Sequence, residues 1–337
     1  MDYKSSNNLE HPVVLDDLAD GEVLLNLKHS TICNSDVHTL LGRRQEPVPS
    51  ILGHEGCGTI FISKRPAFVA GDRVTFSVAD VCGQCKSCQK GPSQKCVMVF
   101  KYGHARHAGR PQGCYSSHIV LKAGTCLVKL PKSLSLGLST PVNCALATMV
   151  AVRRAAANAL GTRVRAGRCL IFGAGFLGIY GAALMNEAGM EVYITDISME
   201  RIKNVSKYGA VGGLLPGQID QHRYDLIIEA CGVGKVVETG VPLLQPGGAI
   251  VLVGSVTPNT SFTITAESLI RKCASLVGVH NYAAIDLEDA VCFLEETAAK
   301  YPFGDLISPP MSLSKFEEAY QLALTNKYLR VLLDNNI

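Results

Sequence analysis

Cys82, Cys85, Cys88 and Cys96 stand in the pattern C-x2-C-x2-C-x7-C, within a loop rich in Gly, Lys and Gln. Thiolates at such short spacings can close a tetrahedral zinc site and pin a segment that has little core of its own. An iron–sulfur cluster fits less well, because the ferredoxin run ends C-x3-C-P, whereas here the last interval is seven and Val97 follows Cys96. Free or disulfide-paired thiols would require four cysteines to fall within fifteen residues by accident, and such clusters usually read as metal sites.

A second set lies upstream: Cys33-Asn34-Ser35-Asp36 with His38 nearby, and Gly53-His54-Glu55-Gly56. A catalytic zinc takes three protein ligands and keeps a fourth position for water or substrate. Cys33 and His54 offer a thiolate and an imidazole from separate turns, and the third ligand is either Cys144 or Glu55. Alone, each would be an ordinary buried Cys or His; their joint presence with the four-Cys lobe points to a metal centre.

The third motif is Gly173-Ala174-Gly175-Phe176-Leu177-Gly178, which follows the apolar run CLIF and opens an apolar helical segment. That context suits the dinucleotide fingerprint: Gly173 for the tight turn, Gly175 for close approach of a pyrophosphate, and Gly178 for helix–strand packing. The free N–H groups of the helix start, at Phe176 and Leu177, face the phosphates. Asp196 ends the next strand, at the usual interval of about 20 residues, where a carboxylate accepts from the adenosine ribose. A 2′-phosphate would meet a like charge there, so NAD is expected in preference to NADP. Arg201, five residues on, is the side chain that would serve NADP instead.

These motifs need two kinds of support. Glu22–Lys28, Gly56–Ile62 and Val74–Val78 read as strands of an irregular β-rich region continuing to about Leu130. From Cys144 an Ala-rich helix leads into alternating strands and helices: CLIFG, EVYITD, YDLIIEAC and AIVLVG, separated by helical segments. Such alternation predicts a doubly wound parallel sheet, an α/β architecture. The tail adds the amphipathic helices LEDAVCFLEETAAKY and SKFEEAYQLALTN and the strand LRVLLD. A length of 337 residues allows two domains, and 47% hydrophobic with 18% charged residues predicts a globular chain. The net charge of +3 is spread out, without the dense basic tract of a nucleic-acid footprint. The polar start MDYKSSNNLEHP lacks a signal peptide's apolar stretch, and no apolar run has membrane-helix length. A cytoplasmic protein acting neither on membranes nor on nucleic acid is therefore expected.

In order along the chain, C-x-[ST]-D-x-H, GHE-x-x-G, the four-Cys lobe and a Cys before G-x-G-x-x-G make this sequence resemble the zinc-containing medium-chain alcohol dehydrogenase family. The resemblance runs from Glu22 to the last strand. It implies a GroES-like β-rich catalytic domain at 1–146 with the zinc lobe at 82–96, a Rossmann coenzyme domain at 147–280, and a return to the catalytic domain at 281–337. It implies two zinc ions per chain, the catalytic one on Cys33, His54 and Cys144, with Glu55 as a transient ligand, and the structural one on Cys82, Cys85, Cys88 and Cys96. By the same resemblance Ser35 relays the hydroxyl proton, His38 passes it to solvent, Asp36 fixes the His54 tautomer, and Arg330 reaches the cofactor pyrophosphate. The implied activity is hydride transfer between an alcohol or carbonyl compound and NAD(H), by a homodimer or homotetramer paired through the Rossmann sheet, at AIVLVGSV and the segment after it.

Several departures from the family pattern predict a reshaped substrate pocket: Thr31-Ile32-Cys33-Asn34 where glycines usually flank the Cys, Lys64 in place of a small residue, and a short segment before Gly71. Gly278–Tyr282 and Tyr301–Asp305 resemble a subgroup proposed as alcohol dehydrogenases of phosphonate catabolism. For such a substrate Lys101, His104, Arg106 and His107 are the candidate cationic contacts; otherwise they form a solvated basic loop. A zinc-independent medium-chain reductase would lack the ligand cysteines, and a catalytically silent dehydrogenase-like binding protein would have no use for an open metal site.

Overall fold

The computed structural model describes residues 18–105, 110, 112–219, 223–256 and 260–336. The chain divides into two compact units. The first runs through Cys144 and resumes over Ala283–Ala298 and Gly304–Ile337; the second comprises Ala145–Tyr282 with Ala299–Phe303.

The first unit opens with strands β1 (Val23–Ile32), β2 (Glu55–Ser63), β3 (Arg73–Asp80), β4 (Phe100–Lys101), β5 (His118–Leu121) and β6 (Thr125–Lys129). The second holds β7 (Arg168–Phe172), β8 (Glu191–Thr195), β9 (Gly212–Leu214), β10 (Tyr224–Glu229), β11 (Leu244–Leu252) and β12 (Ser275–Gly278), and the returning chain adds β13 (Met311–Ser312) and β14 (Val331–Asp334) to the first. The helices are α1 (Asn34–Leu40), α2 (Lys86–Lys90), α3 (Leu136–Ser139), α4 (Ala145–Leu160), α5 (Phe176–Glu187), α6 (Met199–Ile202), α7 (Lys235–Leu243), α8 (Ala266–Ile270), α9 (Ala284–Thr297) and α10 (Phe316–Leu324). Between β8 and β9 the chain forms only the short α6 and a separate 3-10 turn at Val205–Tyr208.

In the first unit the strands follow the order β13-β14-β1-β2-β3-β4, with β5 also on β1 and β6 on β3. Strand β1, VLLNLKHSTI, is its spine, and Leu25, Leu27, Phe76, Ile119 and Leu121 form a core closed to solvent. Its antiparallel registers place the site: Thr31 lies opposite Glu55 on β2, and Ile32 opposite Val331 on β14. The residues just beyond that last pair, Cys33 and Arg330, are thereby brought side by side, although 297 residues separate them.

The second unit is a six-stranded, wholly parallel sheet in the order β12-β11-β10-β7-β8-β9. Its central strands are apolar runs, as burial on both faces by helices requires. The strand order turns between β7 and β10, the switch point at which open α/β sheets take their ligands. Among the described residues no single helix is long and apolar enough to cross a membrane.

Candidate active site

The donor atoms of Cys33, His54, Glu55 and Cys144 all lie within 4.8 Å of one another in the first unit. Cys33 caps α1 at the end of β1, and His54 and Glu55 lead into β2. Cys144 directly precedes α4; beside it Asn143 Nδ2 donates to the carbonyls of His54 (3.1 Å) and Phe76 (2.9 Å), tying that turn to the β unit. Two thiols, an imidazole and a carboxylate about one point form a donor set of the kind zinc takes.

Asp36, in the first turn of α1, organises two of these groups. Its Oδ2 accepts from the Cys33 backbone N–H (3.1 Å), while Oδ1 stands 3.4 Å from His54 Nδ1. A carboxylate on Nδ1 leaves Nε2 to present its lone pair; Ser35 Oγ lies 3.4 Å from Nε2. Tyr115 donates to Asp36 Oδ2 (2.9 Å), its ring packed 4.8 Å from that of Phe316 on α10. Ser35 and His38 are three residues apart on α1, hence on one face. Among the described residues His38 Nδ1 is buried without a partner.

Glu55 is closed to solvent. It accepts from Thr31 Oγ1 (2.5 Å) and from Arg330 Nε (2.7 Å) and Nη2 (2.8 Å). Arg330 also donates to Cys33 Sγ at 3.4 Å. Sequence reading assigned Arg330 to a cofactor pyrophosphate. In the structure its guanidinium contacts Glu55 and Cys33, because β14 pairs with β1 in the register that sets it against Glu55.

The charges interact strongly. Burial opposes a charged His54, but the Asp36 carboxylate and then Cys33 outweigh it and push the imidazole well above its usual range. The Cys144 contact holds Cys33 well below the usual thiol range, against burial, with Arg330 and His54 assisting. Burial pushes Glu55 up while Arg330 pulls it back.

His104, suggested as a cationic contact, packs its ring 4.9 Å from His54 and engages Glu46 Oε1 through Nδ1 (3.0 Å), which Arg44 Nε also reaches (2.7 Å). Burial lowers the His104 pKa against the raising effect of Glu46, and the ring stands beside His54. Lys101 is partly buried on β4, its pKa lowered by that burial and by the neighbouring charges of Lys95 and Arg44. Arg106 and His107 lie outside the described residues.

Cys82, Cys85, Cys88 and Cys96 also bring their sulfurs within 4.8 Å of one another. The pairs 85/88, 82/88 and 85/96 are 3.5, 3.9 and 3.9 Å apart, against an edge of about 3.8 Å for a tetrahedron with Zn–S near 2.3 Å. Backbone N–H groups of Cys82 and Met98 point at Cys96 Sγ, and that of Cys85 at Cys82 Sγ. The amides of Val97 and Cys88 pull the Cys85 thiol down to about 6, in the direction that favours a metal-binding thiolate.

In the second unit Gly173 has φ +109°, a conformation that favours glycine. A Cβ on Gly178 would meet Gly173 O at 1.8 Å, whereas one on Gly175 would meet nothing within 4 Å. The first glycine pair allows α5 to press on the turn, and the gap at Gly175 is the approach a phosphate needs. Phe176 turns its ring inward against Tyr180 (4.7 Å), so its backbone N–H is what it can offer a ligand. Leu177 is half-buried. Asp196 accepts from the N–H groups of Ala174 (2.8 Å) and Ser198 (2.9 Å), and Arg201 Nη1 stands 4.0 Å from its Oδ2.

Residues 19–132 match the alcohol dehydrogenase GroES-like domain and residues 144–331 the glucose dehydrogenase C-terminus. The chain belongs to the zinc-containing medium-chain alcohol dehydrogenase family. It is similar to D-altritol 5-dehydrogenase of Agrobacterium fabrum, 27% identical over 79% of this chain and 78% of that one. It is 25% identical to sorbitol dehydrogenase of Halalkalibacterium halodurans, over 93% and 91%. Among solved structures, an alcohol dehydrogenase from Thermotoga maritima superposes with a TM-score of 0.85 at 24% identity, covering 94% of this chain and 93% of that one. One from Thermus sp. ATN1 gives 0.86 at 21%, covering 97% and 95%. This medium-chain oxidoreductase accordingly has a GroES-like β unit and a Rossmann-like parallel-sheet unit. The supporting roles of Thr31, Tyr115 and Asn143 are not legible in the sequence: their hydrogen-bond partners Glu55, Asp36 and His54 lie 24, 79 and 89 positions away.

Proposed function

We propose that this dehydrogenase uses zinc to pass hydride between an alcohol, or the corresponding aldehyde or ketone, and NAD(H). The observation that carries the reading is the convergence of Cys33, His54, Glu55 and Cys144 on one point with Ser35 beside it. When bound, zinc supplies Lewis acidity that lowers the pKa of a substrate hydroxyl. Ser35 Oγ receives the hydroxyl proton and His38, one turn along α1, delivers it to solvent. NAD, held at the Gly173–Gly178 turn, would supply the acceptor for the hydride that the alcohol carbon loses on becoming a carbonyl. Asp36 keeps a proton on His54 Nδ1 so that Nε2 faces the metal position, and Arg330 offsets the charge of Glu55 and Cys33. Cys82, Cys85, Cys88 and Cys96 would hold a second, structural zinc. Asp196 supports NAD over NADP, since the carboxylate would repel a 2′-phosphate.

The polyols in the names of two relatives put secondary alcohols of that kind first in the assay. Zinc-loaded protein is incubated with NAD or NADP and a panel of alcohols and polyols while cofactor absorbance is followed. Turnover abolished by a chelator, and by Cys33→Ala with NADH affinity unchanged, is the expected result. Turnover that survives both would overturn the metal mechanism.

A further inference from the structure

Glu229 ends β10, the strand beside the switch point, with no exposed surface. A carboxylate buried there requires partners, and its partners are backbone amides from two loops. Oε1 accepts from Cys231 N (2.9 Å) and Gly232 N (2.6 Å); Oε2 accepts from Gly254 N (3.1 Å) and Ser255 N (2.9 Å). The first pair follows β10 and the second follows β11, so one side chain clamps the carboxyl-end loops of adjacent strands.

The packing leaves those loops no slack. A Cβ on Gly254 would fall 2.6–2.7 Å from the backbone of residues 230–232, and one on Gly173 would come within 3.1 Å of Ala230 O and Cys231 Cβ. The clamped pair therefore abuts the fingerprint turn. Asp196 marks the β8 side of that turn, where the adenosine ribose binds, and a dinucleotide crossing the switch point extends its other half over β10 and β11. Ser255 Oγ, in the second loop, is buried without a partner among the described residues, as expected of a polar group whose partner is a ligand.

From this geometry we infer that Glu229 is a positioning residue for the nicotinamide half of the cofactor, setting the loops at 231–232 and 254–255 that this half lies against. The inference rests on dinucleotide binding by this unit. Glutamine presents one acceptor and one donor, so in Glu229→Gln one loop meets an N–H group in place of an oxygen. The test titrates the full-length protein with NADH and with ADP-ribose, which has the rest of the dinucleotide but lacks the nicotinamide ring. In Glu229→Gln, NADH binding should weaken about tenfold or more, the scale of one hydrogen bond to a charged group, while ADP-ribose binding stays within about twofold of wild type. Glu229→Asp, which retains both oxygens on a shorter arm, should show the same split and carries the comparison if the glutamine variant does not fold. Equal loss of both ligands would mean a merely structural role, and unchanged NADH affinity would mean none; either overturns the inference. Failure of the wild-type protein to bind both ligands would instead bring down the dinucleotide reading itself.

Discussion

Replacing Arg330 by Leu removes both guanidinium contacts to Glu55, at 2.7 and 2.8 Å, and leaves a carboxylate with no exposed surface bonded only to Thr31 among these partners. Breaking a buried pair by deleting one member costs about 3–5 kcal/mol, because the remaining charge stays out of water. Arg330 pulls the Glu55 pKa down against burial; without it, the folded-state pKa rises further above the unfolded value near 4.3. A carboxyl group whose folded pKa is raised binds protons preferentially in the folded state. The variant is therefore least impaired at low pH, and stability falls as pH rises from about 4 through the raised folded pKa. Urea denaturation across this range should show a deficit that widens with pH, and Arg330→Leu combined with Glu55→Gln should recover much of it. A deficit of the same size at every pH, with no recovery in the double variant, would refute this account of the pair.

Cys85→Ser should lower the zinc bound per chain by one ion, measured by elemental analysis, because the lobe sulfurs form a single four-donor cluster. Ser35→Ala should reduce kcat by about 10²–10⁴, the range for a positioned proton-transfer group, with NADH affinity unchanged by fluorescence titration. Tyr115→Phe removes the hydroxyl that donates to Asp36. Loss of such a supporting contact should weaken zinc affinity about 10–100-fold, read by competition with a chromogenic chelator. Gly178→Ala should abolish NADH binding, since the added methyl meets Gly173 O at 1.8 Å and the fingerprint turn must shift.

The sequence by itself determined the parts whose chemistry is local. Spacing brought the four lobe cysteines into one cluster because their loop is short, and the glycine fingerprint, with Asp196 after the next strand, is written within one βαβ unit. The apolar runs CLIF, VYIT and DLIIE marked a buried parallel sheet because burial on both faces removes alternation. Strands β9 and β12 were not legible: β9 is three residues with two glycines, and β12, SLVG, is a four-residue edge strand. What only the tertiary structure decided depends on register across distant strands. Arg330 sits against Glu55 because β14 pairs with β1, and Tyr115 reaches Asp36 across 79 positions. Sequence motifs identify side chains able to bind a metal or a phosphate; the partners that fix their charge and orientation arrive from wherever the chain folds back, and no local pattern records that.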